Sequence, residues 1–328
     1  MIVNQFDKMY KLVKKANKNP VKNPKRSAIQ SLVPLNKNLK IVPLLINAQD
    51  QLKLETILET FKVDTVYHSA AYKHVPLMEE NPSEAIQTNV YGTKILADLS
   101  NQFDVQKFVM ISTDKAVNPT NVMGASKRAA EMYVQSLFHN QIQTGIGSTK
   151  FITTRFGNVL GSNGSVVPLF KKQIEKGGPV TITHPDIIRY FMTIPEACQL
   201  VLEAGAMGKG GDVFVLDMGE PVRIYDLATK MIQLSGLQVL DEDNLDGDIE
   251  IKYIGLRPGE KLYEELLVGD NTFETDNKLI MKAKEIMINW SDLEPMLIQL
   301  REAALSSNRN KSQVLLQNIV PEFSPKSN

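Results

Sequence analysis

Thr113, Asp114 and Lys115 bring a hydroxyl, a carboxyl and an amine together in three consecutive residues, with Met123 and Lys127 a short step beyond. A carboxyl beside an amine can work as an acid–base pair, each shifting the pKa of the other while burial shifts both. Taken alone, Asp-Lys equally describes a surface ion pair of little energetic weight. The surroundings favour chemistry. Lys107 to Ile111, just upstream, is an apolar run of strand length. Met123 to Phe138 reads as a helix, with Ala129, Ala130, Tyr133, Val134 and Leu137 on one face. A polar cluster at the carboxyl end of a strand, just before a helix, is where open α/β sheets bind ligands. Met123 and Lys127 are four residues apart and so project from one helix face toward that cluster.

The elements that must position this cluster alternate along the chain. Strands are expected at Ile41 to Ile46, Asp64 to Ala70, Lys107 to Ser112 and Phe151 to Phe156. Helices are expected at Gln51 to Phe61, Ser83 to Phe103 and Met123 to Phe138. The strands are continuous apolar runs, as in sheets covered on both faces, so the fold class is α/β with a doubly wound, Rossmann-like parallel sheet. The second half is mixed and reads as a smaller α/β substrate domain. Its helices are expected at Ser165 to Lys176, Pro195 to Ala206, Ile224 to Ser235, Leu262 to Leu267 and Leu293 to Leu305. Its strands are Val180 to Thr183, Asp212 to Met218 and Ile249 to Gly255, and the tail after Ser306 is expected to fray.

Composition excludes several classes. A chain of 328 residues, 43% hydrophobic and 23% charged, is that of an ordinary globular protein large enough for one big or two coupled domains. No apolar run reaches the roughly 18 residues of a membrane-spanning helix, and the first residues, Met1 to Asp7, lack the apolar core of a signal peptide. A cytoplasmic location is expected. Cys198, the single cysteine, excludes an internal disulfide and reads as a packed small hydrophobe, and the four histidines form no zinc pattern. Net charge is zero, yet residues 1–40 hold nine lysines and Arg26 against Asp7 alone. Ile2, Phe6, Met9 and Val13 fall at helical spacing among those lysines. They suggest either weak contact with a membrane surface or, more simply, a solvated helix with little apolar area to bury. Nucleic acid is not expected as a partner, because no aromatic or glycine pattern accompanies the charge.

Five ordered stretches carry a family resemblance. They are Asp64-Thr65-Val66-Tyr67-His68-Ser69-Ala70-Ala71-Tyr72-Lys73-His74-Val75-Pro76, the block from Ser112 to Lys127, and Thr154-Arg155-Phe156-Gly157-Asn158-Val159-Leu160-Gly161-Ser162. His184-Pro185-Asp186-Ile187-Ile188-Arg189-Tyr190-Phe191-Met192-Thr193 and the segment from Gly255 to Leu267 complete the set. From about Lys40 to Ile288 the chain resembles the extended short-chain dehydrogenase/reductases that act on nucleotide sugars. Within them it is similar to the UDP-N-acetylglucosamine 4,6-dehydratases of bacterial polysaccharide biosynthesis.

The resemblance implies NAD as cofactor and UDP-N-acetylglucosamine or a related UDP-sugar as substrate. The sugar is oxidised at C4, water is eliminated across C5 and C6, and the hydride returns to C6. It implies Lys115 as the base at C5, Asp114 as the acid for the departing hydroxyl, and Thr113 as hydrogen-bond partner of the C4 hydroxyl. Lys127 would hold the nicotinamide ribose. The tyrosine usual four residues before that lysine is Met123 here, a substitution that recurs in one branch of these enzymes. A thioether takes no proton at neutral pH, which leaves Lys127, Lys115 or a water as the C4 base. By the same resemblance Ala70, Ala71 and Lys73 lie along the cofactor, Lys73 also reaching substrate, and Asn89 supports the lysine. Asn158 and Arg189 meet the diphosphate, and Arg257 and Glu260 the phosphate and uridine ribose. Arginine suits a diphosphate because its planar fork donates two bonds at once. A homo-oligomer is expected, with the helices Ser83 to Phe103 and Met123 to Phe138 as contact faces.

One departure stands out. The family opens with a strand and a glycine-rich turn that lets pyrophosphate approach a helix N-terminus. No glycine precedes Gly92 here, and Asn47 stands where an aspartate near the adenine is usual. The expected organisation is an atypical basic arm (1–39), an incomplete NAD-binding domain (40–160) and a substrate domain (161–328), with 212–235 returning to the first. Besides a dehydratase, a catalytically impaired homologue, a UDP-sugar-binding module and a UDP-sugar epimerase remain open. Asp114-Lys115 argues for elimination over simple epimerisation.

Overall fold

The computed structural model describes residues 42–162, 164–265 and 272–325. The lysine-rich arm lies outside these residues. Four strands run parallel: β1 (Thr65–His68), β2 (Lys107–Ile111), β3 (Lys150–Arg155) and β4 (Asp212–Leu216). β5 (Thr272–Glu274) and β6 (Ile280–Ala283) were not legible in the sequence; β6 pairs antiparallel with β4, and β5 with β6. The order across the sheet is β1-β2-β3-β4-β6-β5, a parallel-dominated Rossmann-type arrangement.

Helices cover both faces of this sheet. They are α1 (Gln51–Phe61), α2 (Gly92–Gln102), α3 (Val122–Thr144), α4 (Ile194–Met207), α5 (Trp290–Leu305) and α6 (Arg309–Ile319). Strand alternation divides β2 between two cores. Phe108 and Met110 pack with Leu96, Ala129, Met132 and Tyr133 on the α2–α3 side, while Val109 joins Leu200, Val201 and Ala204 of α4. α3 starts where the Asn121 side chain accepts a 2.8 Å hydrogen bond from the Gly124 amide, and it stops at Gly145, whose φ of 68° is left-handed.

The smaller region has its own core of Phe170, Ile174, Ile182, Ala228, Ile232 and Ile249. Its three-stranded parallel sheet comprises Val180–Ile182, Ile249–Tyr253 and Val239–Leu240. β4 lies in the main sheet, but Ile224–Leu234, expected to return with it, packs here: Ile224, Ala228 and Ile232 recur every four residues and point into this core.

Other expectations are corrected. Val42 to Ile46 forms no strand: Pro43 cannot donate to a ladder, and Leu45 is 92% exposed. Leu262 to Glu265 is irregular, and the remainder of that expected helix lies outside the described residues. The long helix expected over Ser83 to Phe103 is built of Pro82–Ala85, a π-turn at Ile86–Tyr91, and α2. The described part of the tail does not fray. Asn308 caps α6 by accepting from the Lys311 amide at 3.0 Å, and Leu316, Ile319, Val320 and Phe323 are buried with the α3 core. α5 and α6 therefore pack on the π-turn and α3, covering much of the face expected to meet a second subunit.

Charge also holds this tail. Arg128 and Arg155, each 1% exposed, lie among Glu131, Glu285 and Glu322. Arg128 reaches Glu322 at 2.8 Å, Glu285 at 2.9 Å and Glu131 at 3.2 Å, and Arg155 pairs with Glu131 and Glu285. Burial pushes the Glu131 carboxyl up, but Arg155 and then Arg128 bring it below its ordinary value.

Candidate active site

The chain leaves β2 into Ser112 and makes a single 3-10 turn over Asp114–Ala116, with Thr113 as its N-cap. The turn lies against the start of α3 at Gly124, where an added Cβ would stand 2.1 Å from the Lys115 carbonyl oxygen. Asp114 is 1% exposed. Its Oδ1 accepts from Thr113 Oγ1 at 2.8 Å and from Lys115 Nζ at 2.9 Å, while its Oδ2 has no hydrogen-bond partner among the described residues. That free oxygen faces Gly157, whose missing side chain leaves it room: a Cβ there would lie 3.0 Å away.

Lys115 stands between two carboxylates. Besides Asp114, its Nζ lies 3.3 Å from Glu264 Oε1, and it donates to Asn158 Oδ1 at 3.5 Å. Burial pushes its pKa down, but Asp114 and then Glu264 push it up further, against Arg189, so it rests above the ordinary lysine value as a cation. Glu264 is buried and went unassigned in the sequence although it sits in the matching Leu262-Tyr263-Glu264-Glu265 stretch. Only the tertiary contact distinguishes it from Glu265.

Lys127, on the first turns of α3, donates to the Ile111 carbonyl at 2.7 Å, fixing its amine at the end of β2. Burial lowers its pKa from 10.5 to about 8, with Glu131 opposing. Met123 is buried one turn earlier. Asn89, in the π-turn, accepts from the Tyr72 amide at 2.7 Å and donates to the Tyr72 carbonyl at 3.0 Å and to Ser126 Oγ at 2.9 Å. It thereby ties the Ala70-Ala71-Tyr72-Lys73 loop to the turn of α3 that carries Lys127. Such widened turns recur at functional sites.

The segment 257–265 lies over the cluster. Its Gly259 carbonyl accepts from Thr120 and Asn121, each at 3.1 Å, and Lys261 Nζ donates to the Val117 carbonyl at 3.0 Å. Arg189, expected to meet a diphosphate, is held by this segment. Nη1 donates to the Ile188 and Leu262 carbonyls, Nη2 to Lys261 and Glu260, and Nε lies 3.5 Å from Glu264 Oε1. Glu260 also accepts from Thr183 Oγ1 at 3.2 Å and from the Arg257 amide at 3.0 Å. The Arg257 side chain is exposed, and so is Lys73. The structure thus brings together Thr113, Asp114, Lys115, Asn158, Arg189 and Glu260, with Lys127 and Asn89 along the end of β2. No group of residues able to hold a metal ion occurs among the described residues.

Residues 15–285 match the family described as polysaccharide biosynthesis protein. The chain belongs to that family. The match begins inside the lysine-rich arm, upstream of the resemblance legible by eye. A capsular polysaccharide biosynthesis protein of this kind, CapD from Staphylococcus aureus, is 57% identical over 229 residues, which are 70% of this chain and 36% of CapD. The chain spans just over a third of the length of such relatives. Among solved structures, Pen from Bacillus thuringiensis is 33% identical with a TM-score of 0.69, covering 81% of this chain and 79% of Pen. The dTDP-glucose 4,6-dehydratase DesIV from Streptomyces venezuelae, solved with NAD, shares the fold at 19% identity and a TM-score of 0.61, over 88% of this chain and 86% of DesIV.

Against a dinucleotide the residues of this family member divide. Lys127, with two further amine positions beyond its bond to Ile111, and the Asn89-anchored loop at Ala70 and Ala71 fit the nicotinamide–ribose end. No glycine before Gly92 offers the bare turn that a pyrophosphate approaches.

Proposed function

We propose that this chain carries the catalytic machinery of an NAD-dependent UDP-N-acetylglucosamine 4,6-dehydratase serving surface-polysaccharide precursor synthesis. The observation that carries the reading is the Thr113–Asp114–Lys115 cluster, with one buried carboxylate oxygen unpartnered among the described residues and the amine 2.9 Å from the other. Simple epimerisation requires no second acid–base pair, whereas elimination of water does. Family membership and the name of CapD support the setting, and the fold shared with an NAD-bound dehydratase supports the cofactor. In this reading residues 40–160 with β4 hold the cofactor, and residues 161–265 hold the nucleotide sugar.

NAD, when bound, supplies the hydride acceptor for C4 and the donor for C6. The chain's own residues handle protons and position. Thr113 holds the C4 hydroxyl, and Lys127, with its amine near pH 8, is the best placed group to take its proton. Lys115 rests as a cation, so service as base at C5 requires its proton to cross the short contact to Asp114. The same transfer leaves Asp114 protonated, the form needed to release the C6 hydroxyl as water. Asn158, Arg257 and, on giving up its own loop contacts, Arg189 meet the diphosphate, with Glu260 on the uridine ribose and Lys73 at the cofactor–sugar junction.

Incubation with UDP-N-acetylglucosamine and NAD, followed by mass spectrometry, tests this: loss of one water from the sugar nucleotide is expected. Unchanged substrate in the presence of bound NAD refutes it. A second reading is a UDP-sugar-binding homologue without turnover. UDP binding without NAD binding, by calorimetry, would select it.

A further inference from the structure

We infer that Glu264 is a positioning residue for the elimination pair, a second counter-ion that keeps Lys115 charged and in place and ties it to Arg189. The geometry is specific. Glu264 Oε1 lies 3.3 Å from Lys115 Nζ and 3.5 Å from Arg189 Nε, on a side chain 3% exposed, and its Oε2 has no described partner. A carboxylate so buried is retained only with charged partners, and both of its partners belong to the proposed machinery. Glu265, the next residue, is exposed and instead pairs with Lys261 and Asn118. The two glutamates of one tetrapeptide therefore have separate tasks: Glu265 fastens the segment, and Glu264 reaches beneath it to the amine.

The consequence is control of a proton. Around Lys115 stand Asp114 on its own turn, Asn158 after β3, Arg189 on the strand Ile188–Arg189, and Glu264 on the overlying segment. Asp114 and Glu264 favour the ammonium and Arg189 opposes it. With Asp114 alone, the proton shared across the Lys115–Asp114 contact would pass to the carboxylate more readily. With Glu264 present it stays on the amine until something else draws on that negative charge. Arg189 is the group positioned to transmit such a change, because the same oxygen of Glu264 faces both cations.

The kinetic arm of the test rests on the dehydratase reading, but the titration arm needs neither substrate nor NAD. Lysine labelled with 13C at Cε lets the Lys115 signal be followed with pH, assigned by its loss in Lys115→Arg. Glu264→Gln should lower the Lys115 pKa by about one unit or more, the scale of an opposite charge a few Å away, with Glu264→Asp restoring much of it. If Glu264→Gln fails to fold by circular dichroism, Glu264→Asp carries the comparison, since the shorter arm should give a smaller fall of the same sign. An unchanged Lys115 titration in the folded variants overturns the inference, whatever the enzyme does. In turnover, the alkaline limb of kcat should move to lower pH by the same amount in Glu264→Gln. Loss of water from substrate with that limb unmoved would overturn the inference and leave the dehydratase reading standing.

Discussion

Removing the Lys127 amine gives a direct measure of how strongly the site holds an uncharged lysine. The folded pKa of about 8 lies below the ordinary 10.5, so folding expels a proton and stability from this group rises with pH between those values. At neutral pH about a tenth of such an amine is neutral, against roughly one in three thousand for an ordinary lysine. The cost of keeping the charged form buried is about 3 kcal/mol at pH 7 and falls by about 2 kcal/mol by pH 9.5. Lys127→Met removes this dependence and loses the bond to the Ile111 carbonyl, a penalty of about 1 kcal/mol that does not vary with pH. Urea unfolding of both proteins across this range should show the variant's relative stability declining by about 2 kcal/mol as pH rises. The raised Lys115 pKa acts with the opposite sign, but it is present in both proteins and cancels. A difference constant within about 0.5 kcal/mol from end to end would refute the argument, because an amine of ordinary pKa gives no such slope below pH 9.

The remaining expectations concern charge, space and the tail. Glu131→Gln leaves two buried guanidinium groups short of charge and should cost about 3–5 kcal/mol in chemical denaturation. Because the folded Glu131 pKa is lowered, the native contribution is intact above the ordinary carboxylate range and is lost as pH falls through the folded value, so the deficit should shrink in acid. Gly157→Ala pushes a methyl toward Asp114 Oδ2; kcat should fall by up to about a hundredfold while the melting temperature stays near that of the parent protein. Leu316→Ala, at a fully buried position of α6, should cost about 2–5 kcal/mol by urea unfolding, whereas a frayed tail would register no change.

Local pattern made the central layer readable. β2 and α3 emerge from continuous apolar runs and helical periodicity, and α1 has the bounds its apolar spacing indicates. β5 and β6 are only three and four residues long and antiparallel, so neither length nor alternation marks them. α6 is polar overall and makes sense only once Leu316 and Ile319 meet α3. The same division runs through the site. Asp114, Lys115 and Lys127 could be chosen from spacing and strand context. Glu264, and the pairing that holds Arg189 in its own loop, depend on contacts between segments some seventy or more residues apart, to which no local pattern points.

The buried assembly of Arg128, Glu131, Arg155, Glu285 and Glu322 limits how relatives can be recombined. A chimera that exchanges residues 166–265 moves the smaller core together with α4 and β4 of the main sheet, yet crosses none of these ion pairs. A chimera joined anywhere between Glu285 and Glu322 takes both guanidinium groups, Glu131 and Glu285 from one parent and only Glu322 from the other, so that last carboxylate must meet an Arg128 positioned without it. Swapped parts of this molecule are therefore compatible according to interior charge before surface likeness, and libraries of hybrids should survive in proportion to how often all five side chains share one parent.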